Sequence, residues 1–249
     1  PIDIPHVGRD FAAVLIPPDG DPSGHWVLAF RDSIFTSGSD WAANVGQAIF
    51  GYSVQYNYAG DLAQQVIDEL EKRHPGANLL LAGHSLGGGL ASAAAHEING
   101  RAVTFNTSGL NRGYRTGRPQ SIRAHYIPGD VLSTFQDSSP LPSAVGTRIA
   151  HPVDCESTNA VGRHGLDHFE RFIDGYCAHL EAQSVPCPMS PPNSEDGESE
   201  EPPDAKSKLK PYRVGLQDLN PYSIDGYALS HVMHRLPESH KYHSWERSC

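Results

Sequence analysis

The stretch "LLAGHSLGGGLA", residues 80–91, constrains the fold more than any other part of the chain. A continuous apolar run at 78–82 leads into it and reads as a strand buried on both faces. The small-residue, alanine-rich segment 86–98 that follows reads as a helix. Between them, Gly83-x-Ser85-x-Gly87 leaves one hydroxyl among residues with almost no side chain. A sharp strand-to-helix turn accounts for this pattern. It forces the serine backbone into a strained conformation, and glycines two residues either side let strand and helix approach. The serine oxygen then stands clear at the top of the sheet. The plainer reading is a glycine-rich turn whose serine caps a helix.

The rest of the chain supplies the sheet such a turn needs. Residues 12–16 and 26–30 read as short strands separated by the turn "PPDGDPSG". Leu62, Val66, Ile67 and Leu70 recur at three- and four-residue spacing, which predicts an amphipathic helix over 61–74, stopped by Pro75-Gly76. Further strands are predicted at 103–105 and 122–127, and a second helix over 166–180, with Leu166, Phe169, Phe172, Ile173, Tyr176 and Leu180 on one side. Strand alternating with helix is the pattern of an α/β fold, a mostly parallel sheet with helices on both faces. Composition then changes. Six acids fall between Glu195 and Asp204 in a proline-rich stretch, followed by lysines at 206, 208 and 210. The expected organisation is therefore an α/β domain over 1–185, a Pro/acid-rich linker over 186–210, and a polar, histidine-rich tail over 211–249. The tail would dock on the main domain or bind a protein partner.

Charge and composition remove several function classes. With 29 acidic against 19 basic residues the net charge is −10, which argues against nucleic-acid binding. No apolar run approaches the 18 or so residues of a membrane-spanning helix, so no transmembrane segment is expected. The opening "PIDIPHVGRD" has no basic-then-apolar leader pattern, which leaves localisation open, export by a signal-independent route included. Four cysteines, at 155, 177, 187 and 249, are too few and too spread for a disulfide scaffold, although a Cys155–Cys177 bridge is conceivable. His231-x-x-His234 and His240-x-x-His243 have ligand-like spacing, yet no cysteine or acid completes a set. No metal and no organic cofactor is expected.

A serine hydroxyl is a weak nucleophile unless a base takes its proton and an acid orients that base. In a sheet of this kind the order along the chain is Ser, Asp or Glu, His. Downstream of Ser85, the first acid at a strand end is Asp130 in "AHYIPGDVLS", placed by Pro128-Gly129 just past the strand's carboxyl end. Asp137 and Asp154 compete with it. Among the next histidines, His151, His164 and His168, the loop position of His164 before a helix leaves it able to reach Ser85. His168, one turn inside that helix, is its main rival, and His84 reads as a structural residue beside the turn.

Four stretches in order give the chain a resemblance to the class 3 lipases, the family of fungal-type triacylglycerol lipases and plant phospholipases A1. "AFRDS" at 29–33 resembles the family's A-F-R-G-[ST], and Asp40-Trp41 resembles the D-W that follows. "AGHSLGGGLA" resembles G-H-S-L-G-G-A-L-A, and "HGLDHFERFIDGY" at 164–176 resembles the plant phospholipase pattern that opens on the catalytic histidine. The matches cover roughly residues 10–180. The resemblance implies an α/β-hydrolase fold, with Ser85 as nucleophile, Asp130 as acid and His164 as base. It also implies an oxyanion hole from the backbone N–H of Leu86 and from Ser33, with Asp32 standing where the family has glycine. A lid would correspond to residues 34–52, with an apolar surface opening onto lipid. The implied activity is carboxylester hydrolysis of lipid esters, possible at a membrane surface, with phospholipid A1-type cleavage favoured by the likeness at 164–176. An esterase for small soluble esters and a non-catalytic lipid- or partner-binding module are the alternatives.

Overall fold

The computed structural model of the protein describes residues 11–18, 24–31, 53–151, 159–166, 168–169, 171 and 228–229. Within them, six strands form one sheet in chain order: β1 (Ala13–Ile16), β2 (His25–Phe30), β3 (Asn78–His84), β4 (Arg101–Phe105), β5 (Ser121–Tyr126) and β6 (Thr147–Ala150). β1 runs antiparallel to β2, and every other neighbouring pair is parallel. Three helices connect them: α1 (Ser53–Arg73), α2 (Ser85–Glu97) and α3 (Val131–Asp137). Short 3-10 turns occupy Arg112–Tyr114 and Gly162–His164.

The apolar run of β3 is a run because both of its faces are covered. Leu81 lies in one cluster with Leu28 and Phe30, under Leu62, Val66 and Leu70 of α1 and Leu90 and Ala94 of α2. Leu80 and Ala82 point the other way, with Val27, Ala29, Val103 and Phe105, and are covered by Phe169, Ala228 and Leu229. Alternation along each strand thus feeds two cores. Phe169, Ala228 and Leu229 are all helical in conformation, so helical residues cover both faces. This is the α/β-hydrolase architecture, with a strand–turn–helix unit at its centre. α2 is buried from Ser85 through Ala95, which is why its sequence is apolar or small all round rather than amphipathic.

Three features depart from the expected layout. α1 begins at Ser53, eight residues before the predicted start at 61. Its first turns hold Val54, Tyr56, Tyr58 and Gly60, weak helix formers, and tertiary packing overrides them. The Tyr56 ring, for example, sits 4.9 Å from that of Tyr114. The short α3 and β6 had no sequence signal: β6 has exposed ends, and α3 depends on the side chain of Asp130 capping its start. Of the segment 211–249, only Ala228 and Leu229 are among the described residues, and both are fully buried in the core.

Candidate active site

The turn between β3 and α2 sets the position of Ser85. Its φ is +51°, a left-handed value that a non-glycine residue adopts only under constraint. A Cβ on Gly83 would land on the Gly87 backbone, and one on Gly87 would land on the carbonyl of Phe30. Only glycine permits strand and helix to close on each other here. The Ser85 carbonyl accepts a hydrogen bond from the Ser108 N–H at 2.9 Å, tying the turn to the loop after β4. Leu86 follows at the start of α2.

β5 leads through Ile127 into the turn Pro128-Gly129, whose glycine has φ +79°, and delivers Asp130 at the sheet's carboxyl end. Asp130 is fully buried, and Oδ2 accepts the N–H of Ser133 at 2.8 Å, capping α3. Its other oxygen, Oδ1, lies 2.6 Å from Nδ1 of His164. Nε2 of the same imidazole lies 2.8 Å from Oγ of Ser85. A carboxylate only accepts, so Nδ1 carries a proton where it meets Asp130, and an unprotonated Nε2 is placed to accept from the Ser85 hydroxyl. Burial alone would raise the Asp130 pKa. The bond to His164, the field of that ring and the Ser133 N–H overcome it and hold the carboxyl below its ordinary value.

The structure therefore brings Ser85, His164 and Asp130 into one hydrogen-bonded chain, although they are far apart in sequence. It puts the rivals among the described residues elsewhere. Asp137 is half exposed and forms a two-pronged ion pair with Arg148, at 2.8 and 2.9 Å. His151 pairs with His125 inside the core, ring nitrogens 2.7 Å apart. His168 is buried, and burial, with Arg171 and Arg163 nearby, pushes its pKa down to about 4. Ser33, Asp32, Asp40, Trp41, the segment 34–52, Asp154, the cysteines and the tail histidines lie outside the described residues.

Two neighbours of His164 carry more than the sequence suggested. His84 packs its ring 4.8 Å from that of His164 and bonds the His164 carbonyl through Nε2 at 2.7 Å. Asn106, a residue not singled out from sequence, reaches the same carbonyl at 2.9 Å. Its available signal was a polar residue directly after the apolar strand "AVTF". Among the described residues, no group of three or more His, Cys, Asp or Glu is arranged to hold a metal ion. Among them too, no helix is long and apolar enough to cross a membrane.

Residues 3–158 match a family model described as "Phospholipase-like: Tle-like phospholipase domain". An extracellular phospholipase A1 of Serratia liquefaciens is 37% identical over 137 residues, which is 50% of this chain and 41% of that protein. The chain thus spans about two fifths of that relative's length. Among solved structures, a mutant form of MDLA from Penicillium cyclopium aligns at 18% identity and a TM-score of 0.44, over 62% of this chain and 63% of the other. The Rhizomucor miehei lipase in complex with its propeptide aligns at 15% identity and a TM-score of 0.41, over 62% and 60%.

Proposed function

This chain belongs to the Tle-like phospholipase domain family, and from that premise we propose that it is a serine carboxylester hydrolase acting on lipid esters. The observation that carries the reading is the unbroken run of short contacts from Asp130 through His164 to Ser85, with the hydroxyl held on a strained turn. His164 takes the Ser85 proton as Oγ attacks the ester carbonyl carbon, and Asp130 stabilises the imidazolium that forms. The carbonyl oxygen becomes an oxyanion beside the N–H of Leu86, with Ser33 as the second donor. One such donor contributes on the order of 3 kcal/mol to lowering the barrier. Collapse of the tetrahedral adduct expels the alcohol, which takes its proton from His164, and leaves Ser85 acylated. Water, deprotonated by the same ring, then releases the fatty acid and restores the enzyme.

Phospholipid cleaved at the A1 position is the favoured substrate. The likeness at 164–176 points that way, as does the 37% identity to a protein named for that activity. The experiment is a panel of phospholipids, triacylglycerols and short soluble esters, assayed with the wild-type chain and Ser85→Ala. Release of a fatty acid and the 2-acyl lysophospholipid, reduced on the order of a million-fold in the variant, is the expected result. Equal turnover of wild type and variant would remove the proposal. Activity confined to soluble esters, without increase above the substrate's micelle threshold, would replace the lipid substrate with a small one.

A further inference from the structure

We infer that Asn106 and His84 are positioning residues, which clamp the main-chain carbonyl of His164 and so aim its imidazole between Asp130 and Ser85. The inference rests on the triad reading above and extends it to two residues outside the Asp130–His164–Ser85 chain of contacts. The base itself stands on weak ground: His164 closes a 3-10 turn of three residues, and so short a helix cannot satisfy its own last carbonyls. The two clamping groups, by contrast, belong to the rigid sheet. His84 is the last residue of β3, and Asn106 directly follows β4.

The hydrogen-bond chemistry fixes which way each group faces. Carbonyls only accept, so Nε2 of His84 must carry a proton where it meets the His164 oxygen at 2.7 Å. The Asn106 amide nitrogen meets the carbonyls of Arg163 and His164, each at 2.9 Å. Its Oδ1 accepts the Ile127 N–H at 2.9 Å, on the segment that leads to Asp130. The Asn106 main-chain N–H donates to the His125 carbonyl at 2.8 Å. One buried side chain thus ties the base's turn to the strand end that carries its acid. Only an amide offers both a double donor and an acceptor in this arrangement. Asparagine also tolerates the left-handed backbone that the position requires, φ +40°. Aspartate there would set carboxylate oxygen against two carbonyls.

The test uses the full chain with His84→Phe, His84→Gln and Asn106→Asp. For each, the rate at which a fluorophosphonate modifies Ser85 is measured, together with kcat and KM for the best ester. Displacement of a catalytic group by about 1 Å costs on the order of 100-fold. His84→Phe and Asn106→Asp are expected to slow both phosphonylation and kcat by about that factor with KM little changed. His84→Gln should recover much of the loss, because its amide N–H can donate to the same carbonyl. The low-field proton resonance of the His164–Asp130 bond should shift or broaden in the slow variants and return in His84→Gln. Folded variants that label at the wild-type rate with that resonance unmoved would overturn the inference. So would 15N spectra of the wild-type chain showing His84 protonated at Nδ1 and not Nε2, a readout independent of any variant's folding. A wild-type chain that neither labels nor hydrolyses would instead sink the triad reading itself.

Discussion

His164 and His168 lie one helical turn apart in sequence and occupy opposite chemical situations. The first bridges Asp130 and Ser85, and the second is buried near Arg163 and Arg171. His164→Ala is expected to abolish ester turnover, while His168→Ala retains most of it, as steady-state rates would establish. His168 acts on stability instead. Its pKa of about 4 in the folded chain lies below the roughly 6.5 of an unfolded one. Between those values the unfolded state binds more protons, so its stabilising effect is present above about pH 6.5 and lost as pH falls toward 4. Asp130 works in the same direction at lower pH, its depressed carboxyl pKa stabilising the fold until acid protonates it. Melting temperatures taken from pH 7 to pH 4.5 should therefore fall, and fall less steeply in His168→Phe than in the wild type. An equal slope in both would remove the assignment. At this scale the positions of Asp130 and His164 were readable because turn chemistry marks them: Pro128-Gly129 before the one, and a helix entry after the other. The clamp was not readable. Its acceptor is a main-chain carbonyl 58 residues from Asn106 and 80 from His84, and a carbonyl has no sequence signature.

The unit of β3, turn and α2 is the element on which the site is built, and its glycines are a packing requirement. Gly87→Ala would drive a methyl group into the carbonyl of Phe30. We expect loss of about 3 kcal/mol or more in denaturant unfolding, since backbone on backbone cannot yield as a side chain can. Ester turnover would fall with it, because the turn that strains Ser85 would open. Stability within 1 kcal/mol of wild type would contradict the close approach. This element was legible almost to its boundaries, since an apolar run and a small-residue helix are both written in composition. α1 was legible only in its second part, where Leu62, Val66 and Leu70 keep the helical period. Its opening turns helix because Tyr56 and Ala59 are buried against the core, a tertiary effect that local propensity does not carry.

Across the whole molecule, the sheet's two faces are closed by different parts of the chain. α1 and α2, both near the sheet's own strands in sequence, cover the first. Phe169 covers the second together with Ala228 and Leu229, from a region whose composition reads as a polar tail. Two short apolar residues in a polar stretch carry no periodic signal, so this closure is visible only in the fold. Leu229 is fully buried. Leu229→Ala should cost about 2–5 kcal/mol in equilibrium unfolding, as for other buried leucines. A cost near zero would mean that this residue does not belong to the core. The candidate site lies at the carboxyl end of the strands, where the ends of β3, β4 and β5 supply His84, Asn106 and the approach to Asp130.

The most direct measurement is rapid quenching of the wild-type chain with phospholipid, followed by mass mapping of its peptides. The account predicts an acyl group of the lipid's first-position fatty acid on Ser85, formed within the first turnover and absent in His164→Ala. An acyl adduct on another residue, or phospholipid cleavage with no adduct at Ser85 and undiminished in Ser85→Ala, would contradict it.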